Sequence, residues 1–208
     1  MLNYRRRAGN ELYSRNSGYI FSMIDEAYDT GVIGEGGRGT EAHFHMKGKA
    51  DILMGTLSKA FGSEGGYVCG NEILIQYLRN KARSFIFSTS LSPVTMAAAL
   101  SGVKLLKAQP ERAEKLKENI KRFCKCLNEE GLDVTSETAI IPIRIGDEKK
   151  ALKVAKVLKE DGYYISAIRY PTVKKGEAML RVALMYSHTQ VELKDAAKAI
   201  AKRVKENK

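Results

Sequence analysis

The stretch Gly55-Thr56-Leu57-Ser58-Lys59-Ala60-Phe61-Gly62 decides how the rest of the chain is read. It sets one lysine in a loop of small and hydroxyl residues, directly after the apolar run Ile52-Leu53-Met54. The carboxyl end of a buried strand is where α/β sheets bind their ligands. An amine partly desolvated at that place loses its proton more readily and can attack a carbonyl carbon. Thr56 and Ser58 add hydroxyls and neighbouring amides that suit a phosphate. The octapeptide alone also fits a surface lysine in a turn.

A second segment narrows the choice. Tyr19-Ile20-Phe21-Ser22-Met23-Ile24 is apolar, aromatic and β-branched, and reads as a buried strand. It runs into Asp25-Glu26-Ala27-Tyr28-Asp29-Thr30-Gly31. A lysine that condenses with an aldehyde beside a phosphate site is what pyridoxal phosphate requires. That cofactor also needs a carboxylate near its ring nitrogen, and Asp25 is placed to supply it. Such a pair at ~4 Å and an effective dielectric near 20 is worth roughly 4 kcal/mol. Tyr28, three residues on, can donate a hydrogen bond to the ring hydroxyl oxygen. An ordinary acidic turn at a strand end is the plainer alternative.

The whole chain sets the bounds. Its 208 residues, 44% of them hydrophobic, suffice for one large domain or two small ones. No apolar run of about 18 residues exists, so no membrane span is expected. Residues 1–7 are basic, but no apolar signal core follows them. Cys69, Cys124 and Cys126 form a sparse, odd set without ligand-spaced histidines, so neither zinc nor a disulfide framework is expected. Reduced thiols in the cytoplasm fit best. The net charge of +11 suggests an anionic partner. Many of the basic residues alternate with glutamate, as in Glu111-Arg112-Ala113-Glu114-Lys115-Leu116-Lys117-Glu118, which is the pattern of a solvated helix face. No nucleic-acid motif accompanies them, and a coenzyme A thioester would use the same positive field.

Residues 1–16 are polar, basic and unpatterned. The glycine-rich run Gly34-Glu35-Gly36-Gly37-Arg38-Gly39 lacks the Lys-Ser/Thr of a P-loop and opens no obvious helix, so it reads as a mobile connection. Strands are expected at 51–54, 66–69 and 84–87, with helices at 72–83 and from Ser92-Pro93 onward. A long amphipathic helix is expected over 110–130, with Ala113, Leu116, Ile120, Phe123 and Leu127 at three- and four-residue spacing. Beyond it lie strands at 140–145, 164–167 and 179–183, a helix capped by Asp147, and a final helix opened by the capping box Thr189-Gln190-Val191-Glu192. Alternating strands and helices make the first part α/β. A domain boundary is expected inside the long helix near Glu129, giving a lead at 1–16, a larger domain at 17–129 and a small α+β domain at 130–208.

Four ordered blocks carry a resemblance. Asp25 to Gly34 with Gly37-Arg38-Gly39-Thr40, the Lys59 octapeptide, Ala82-Arg83-Ser84-Phe85-Ile86-Phe87-Ser88-Thr89-Ser90, and Ala167-Ile168-Arg169-Tyr170-Pro171-Thr172-Val173 followed by Met179-Leu180-Arg181-Val182 resemble the α-oxoamine synthase family. Members are fold-type-I pyridoxal-phosphate enzymes and homodimers that condense an amino acid with an acyl-coenzyme A or acyl-carrier thioester. The resemblance implies the carboxyl-terminal part of the fold-type-I large domain followed by a small α+β domain. It makes Lys59 the covalent cofactor anchor and the base for the substrate Cα proton, and Asp25 the partner of the ring nitrogen. Tyr28 stands where the family usually has histidine. Thr56 would bind phosphate, and Ser88 and Thr89 would reach the phosphate of the partner subunit's cofactor. Arg181 would hold the substrate carboxylate, where a planar bidentate donor fits. Thr172 matches a substrate contact, and Arg169 belongs to the same motif.

The family's chain is about twice as long. The resemblance therefore implies a carboxyl half lacking the residue that stacks on the cofactor ring, inactive alone and completed by an amino-terminal half if one exists. Tyr170 replaces a common proline and Met179 another common residue. The third and fourth blocks look closest to members that join alanine to a pimeloyl thioester, followed by those that use glycine and an acetyl thioester. A non-catalytic remnant and a basic nucleic-acid-binding module are the readings from other classes.

Overall fold

The computed structural model describes residues 21–206. The lead at 1–16 and the start of the expected first strand, Tyr19 and Ile20, lie outside the described residues. The chain divides into two compact units, Met1–Pro110 and Glu111–Lys208. The sequence places this boundary near Glu129, but the division falls at the start of the long helix. The reason is the helix's apolar stripe, which is buried in the second unit.

In the amino-terminal unit, β1 (Met23–Asp25), β2 (Ile52–Thr56) and β3 (Gly66–Gly70) form one sheet in the order β1-β2-β3. β1 and β2 are parallel, with Met23 opposite Ile52 and Asp25 opposite Met54. β3 returns antiparallel to β2, with Thr56 opposite Gly66. Helix α1 (Thr40–His43) is a single turn. Helix α2 (Glu72–Lys81) is capped by Asn71, whose side chain accepts from the Leu74 N–H. A one-turn helix α3 (Arg83–Ile86) follows, and then α4 (Pro93–Ala108), capped by Ser92 and opened by proline.

Two expectations fail here. Residues 84–87 are not a buried strand. The chain is extended at Ala82 and then turns into α3, with Ile86 N–H donating to Ala82 O and Phe87 N–H to Arg83 O. No strand is described beside this run, so its backbone is satisfied locally, and Phe85 and Phe87 are 63% and 77% exposed. The glycine run is also more than a loose connection. It forms a 3₁₀ turn at Glu35–Gly37, is pinned by Gly31 N–H to Gly37 O and Gly39 N–H to Ile33 O, and opens α1.

The amino-terminal unit buries little apolar matter. Among its described residues the one buried apolar side chain is Ala99, while Ser22, Glu26 and Asp29 are buried polar groups. Phe21, Met23, Tyr77, Phe85, Val94 and Leu100 are all exposed.

The carboxy-terminal unit is the reverse. Strands β4 (Ile140–Gly146), β5 (Ser166–Ile168) and β6 (Ala178–Ala183) pair antiparallel in the order β4-β6-β5. Helices α5 (Glu111–Glu129), α6 (Glu148–Glu160) and α7 (Gln190–Glu206) complete it. Leu116, Ile120, Phe123 and Leu127 of α5, Val154 and Leu158 of α6, and Leu193, Ala197 and Ile200 of α7 share a buried core with Ile141, Ile143, Leu180 and Val182 of the sheet. Asp147 caps α6 by accepting from the Lys150 N–H. The expected capping box opens α7: Thr189 N–H donates to Glu192 Oε2 at 2.7 Å and Glu192 N–H to Thr189 Oγ1 at 3.3 Å. Arg203 binds Asp161 through two bonds of 2.7 Å, tying α7 to the end of α6. Cys69, Cys124 and Cys126 are all free.

Phe123 is fully buried and Phe85 largely exposed. Phe123→Ala is expected to cost about 3–5 kcal/mol, and Phe85→Ala to stay within about 0.5 kcal/mol. Urea unfolding of the full chain followed by circular dichroism checks both.

Candidate active site

The parallel pair β1–β2 brings two chemically distinct ends together. Asp25 closes β1, and its Oδ1 accepts from the Ala27 N–H at 2.8 Å. This turn fixes the carboxylate direction and leaves Oδ2 without a bond to a described residue. Past β2 the chain turns sharply: Leu57 N–H donates to Gly65 O, Ser63 N–H to Leu57 O and Gly62 N–H to Lys59 O. Lys59 stands at the tip, with its Nζ 4.1 Å from the centroid of the Tyr28 ring. Lysine and tyrosine, read separately from sequence, therefore meet in a cation–π contact. Lys59 is exposed, against the expectation of partial desolvation. The Tyr28 ring lies against its amine, and the described residues do not bury it.

Thr56 is engaged within the loop itself. Its Oγ1 donates to Gly65 O at 3.1 Å, so the Ser58 hydroxyl, 2.7 Å away, donates to it in turn. The Ser58 N–H also donates to Thr56 Oγ1. The single hydroxyl proton of Thr56 thus closes the lysine loop, and a phosphate would have to compete for it.

Glu26 is the residue that sequence reasoning left without a task. It is 4% exposed, and both its carboxylate oxygens accept from the Thr40 N–H, at 2.9 and 3.0 Å. Asp29, also buried, accepts from the Thr40 hydroxyl at 2.9 Å. The start of α1 is thereby fastened to the end of β1, and Glu26 fills the capping role that Gly39 cannot. Gly39 has φ +86°, and a Cβ there would lie 2.1 Å from Glu26 Oε2, so nothing larger fits. A Cβ on Gly31, at φ +81°, would lie 2.5 Å from Ala60 Cβ, so the turn after Tyr28 packs directly on the lysine loop. Thr30 and Tyr67 join the same region through a 3.0 Å hydroxyl bond. Burial pushes the Glu26 carboxyl above the usual carboxylate range; the Thr40 N–H works against this shift, and Asp29 adds to it. The spacing Asp-Glu-x-x-Asp ahead of Gly-Arg-Gly-Thr was the available signal for this fastening.

Ser88 and Thr89 are exposed between α3 and α4, and neither side chain is bonded to a described residue. Arg181, Arg169 and Thr172 belong to the carboxy-terminal unit. Arg181 is exposed on β6. Arg169 and Thr172 lie in the β5–β6 connection, where the Thr172 N–H donates to Arg169 O at 2.9 Å and Arg169 donates to Tyr170 O. No cluster of three or more potential metal ligands is found among the described residues.

The raised Glu26 pKa gives a pH prediction. An acid whose pKa rises on folding stabilises the fold fully below its unfolded value, near 4.5, and that contribution is lost as pH rises through the folded value. Glu26→Gln stays neutral, so its stability should gain on that of wild type as pH rises from below about 4.5 to neutrality. Glu26→Ala should instead free the Thr40 amide to exchange with solvent. Urea midpoints across this range and hydrogen exchange at Thr40 check both; parallel pH curves for wild type and Glu26→Gln would contradict the first.

Comparisons with known proteins identify the family. The family model for aminotransferase class I and II matches residues 13–200. A putative 8-amino-7-oxononanoate synthase of Desulfovibrio desulfuricans is 45% identical over 181 residues, 86% of this chain and 47% of that protein. The 8-amino-7-oxononanoate synthase 1 of Bacillus subtilis is 45% identical over 187 residues, 89% of this chain and 48% of that protein. The chain thus spans about half the length of these curated relatives. Among solved structures, 8-amino-7-oxononanoate synthase from Francisella tularensis superposes with a TM-score of 0.78 at 32% identity, covering 88% of this chain and 55% of that one. Serine palmitoyltransferase from S. paucimobilis, with bound PLP and myriocin, superposes with a TM-score of 0.84 at 26% identity, covering 90% of this chain and 48% of that one. The chain belongs to the aminotransferase class I and II family, and its fold is that of the fold-type-I pyridoxal-phosphate transferases, about half of which it spans.

Proposed function

We propose that this chain is the lysine-bearing half of a pyridoxal-phosphate-dependent C-acyltransferase that joins an amino acid to an acyl thioester. The observation that carries the reading is the Lys59 amine over the Tyr28 ring, in the same unit as Asp25 at the carboxyl end of the parallel pair β1–β2. The donor set fits the cofactor: a primary amine for its aldehyde, a carboxylate with one free oxygen for its ring nitrogen, and a phenol for its ring hydroxyl. When bound, pyridoxal phosphate supplies an electron sink for negative charge at the substrate Cα. Lys59 Nζ would hold the cofactor's aldehyde and serve as the base for the substrate Cα proton. Asp25, oriented by the Ala27 N–H, keeps the ring nitrogen protonated. Tyr28 donates to the ring hydroxyl oxygen and cushions the lysine amine. Arg181 takes the amino acid's carboxylate.

The relatives' names favour 8-amino-7-oxononanoate synthase chemistry, in biotin synthesis, with alanine and a pimeloyl thioester as substrates. Glycine with an acetyl thioester is the runner-up. We place the protein in the cytoplasm, in keeping with its three free cysteines and the lack of a membrane-spanning helix among the described residues.

The exposed apolar side chains of the amino-terminal unit favour an assembly in which more polypeptide covers them: an amino-terminal half, in the same chain or supplied separately, and a second copy in a homodimer. Without that cover the reacting groups are not held in fixed geometry, and a loose site loses orders of magnitude in rate. The chain alone is therefore expected to release little thiol from alanine or glycine plus an acyl-coenzyme A. Turnover near that of a full-length relative would overturn the half-enzyme reading.

The cofactor assignment is tested by incubating the chain with pyridoxal phosphate, reducing with borohydride and mapping peptides. Label should concentrate on Lys59; label spread evenly over the lysines would refute it. In an enzyme completed by an amino-terminal half, Asp25→Asn should lower turnover far more than Glu26→Gln. There Tyr28→Phe keeps the ring under Lys59 but loses the donor, and should raise the barrier by about 1–3 kcal/mol, whereas Tyr28→His should be tolerated.

A further inference from the structure

The sheet of the carboxy-terminal unit has one face in the core and one outside it. Ile141, Ile143, Ala178, Leu180 and Val182 are buried on the inner face. Strand alternation puts Pro142 and Arg144 of β4, Met179 and Arg181 of β6, and Ser166 and Ile168 of β5 on the other face. The register orders them in two rows, Pro142–Arg181–Ser166 and Arg144–Met179–Ile168. Arg144 and Arg181 are thus diagonal cross-strand neighbours, about 7–8 Å apart at the backbone and within reach of one another's long side chains.

Both arginines are exposed, and neither pairs with a carboxylate among the described residues. By contrast, Arg203 binds both Asp161 and Glu206. The strand residues of the outer face include no acid, and two like charges held as diagonal neighbours repel each other. Directly after Arg144 the β4–β6 register shifts at Ile145, a bulge of the kind that bends a strand and re-aims a side chain. In the register Met179, Ile168 and Pro142 stand next to the two arginines on the same face and offer an apolar floor for methylene groups.

We propose that Arg144 is a specificity residue: it takes the second carboxylate of a ligand whose first carboxylate is held by Arg181. The pair forms a dicarboxylate site with an apolar floor. In the acyl-transfer reading, on which this step alone rests, the first carboxylate is the amino acid's and the second ends the acyl group, and Arg144 discriminates against uncharged acyl chains of the same length.

The site is tested on the full chain without cofactor or turnover, so its failure is separable from failure of the acyl-transfer reading, which rests on Lys59 labelling. Adipate and hexanoate are titrated at low salt and followed on the arginine Nε–Hε signals by nuclear magnetic resonance. Adipate should bind at least about tenfold more tightly than hexanoate, the effect of one charge-assisted hydrogen bond. Arg144→Leu should bring adipate down to the affinity of hexanoate and leave hexanoate unchanged. Arg181→Leu should weaken both acids. Equal binding of the two acids to wild type, or full adipate affinity in Arg144→Leu, would overturn the proposal. So would inorganic phosphate binding as tightly as adipate, because the site would then be one for a compact phosphate.

Discussion

The carboxylate of Glu26 on the Thr40 amide is the contact on which the lysine end of the molecule depends. It is an unusual support. A buried carboxylate costs free energy unless it is well bonded, and here burial raises its pKa in spite of the bonds it accepts. Its value lies in what it joins. Glu26 directly follows Asp25, and Thr40 opens α1 at the far end of the glycine-rich turn. With that turn closed, Gly31 comes hard against Ala60, and the loop bearing Lys59 has a wall to rest on. Asp25, Tyr28 and Lys59 are exposed, so their order is imposed by buried neighbours, not by their own packing.

The two units solve stability differently. The carboxy-terminal unit has a core built from helix stripes and one sheet face, the usual source of folding free energy. The amino-terminal unit, among its described residues, buries polar groups and keeps its aromatic and aliphatic side chains at the surface. Hydrogen bonds alone contribute little net stability, about 1 kcal/mol each. An arrangement with polar groups inside and apolar ones outside calls for cover from further polypeptide. In the proposed half-enzyme reading, that cover is the amino-terminal half and a second copy.

Much of the fold was legible because it rests on local rules. The stripe in α5, the Asp147 cap and the Thr189 capping box are local, and the helices they frame formed as expected. The run at 84–87 was misread because a short apolar segment has the composition of a strand whether or not a partner exists, and none is described beside it. The glycine loop was misread because its order comes from backbone bonds within the turn and from Glu26 and Asp29 on Thr40 at its far end, which composition does not encode. Lys59, Asp25 and Tyr28 stood out by residue type and place in the sequence, and the cation–π contact between the first and last did not, since no sequence pattern encodes it. The bond from Thr56 to Gly65 was not legible either, because a hydroxyl looks the same in sequence whether its proton is spent on a loop carbonyl or free.

In the carboxy-terminal unit the direction of Arg181 and the core are one decision. β6 alternates Ala178, Leu180 and Val182 inward with Met179 and Arg181 outward. A slip of one residue would bury Arg181 and expose Leu180, because the side-chain period of a strand is two. The cost of burying an unpaired guanidinium is several kcal/mol, so the register is strongly fixed. The packing of Leu180 and Val182 against α5 to α7 therefore aims Arg181, and the pairing of β4 with β6 aims Arg144 to the same side. An anion-binding face can carry two unpaired positive charges here because the opposite face of the same three strands supplies the apolar burial that holds them in place.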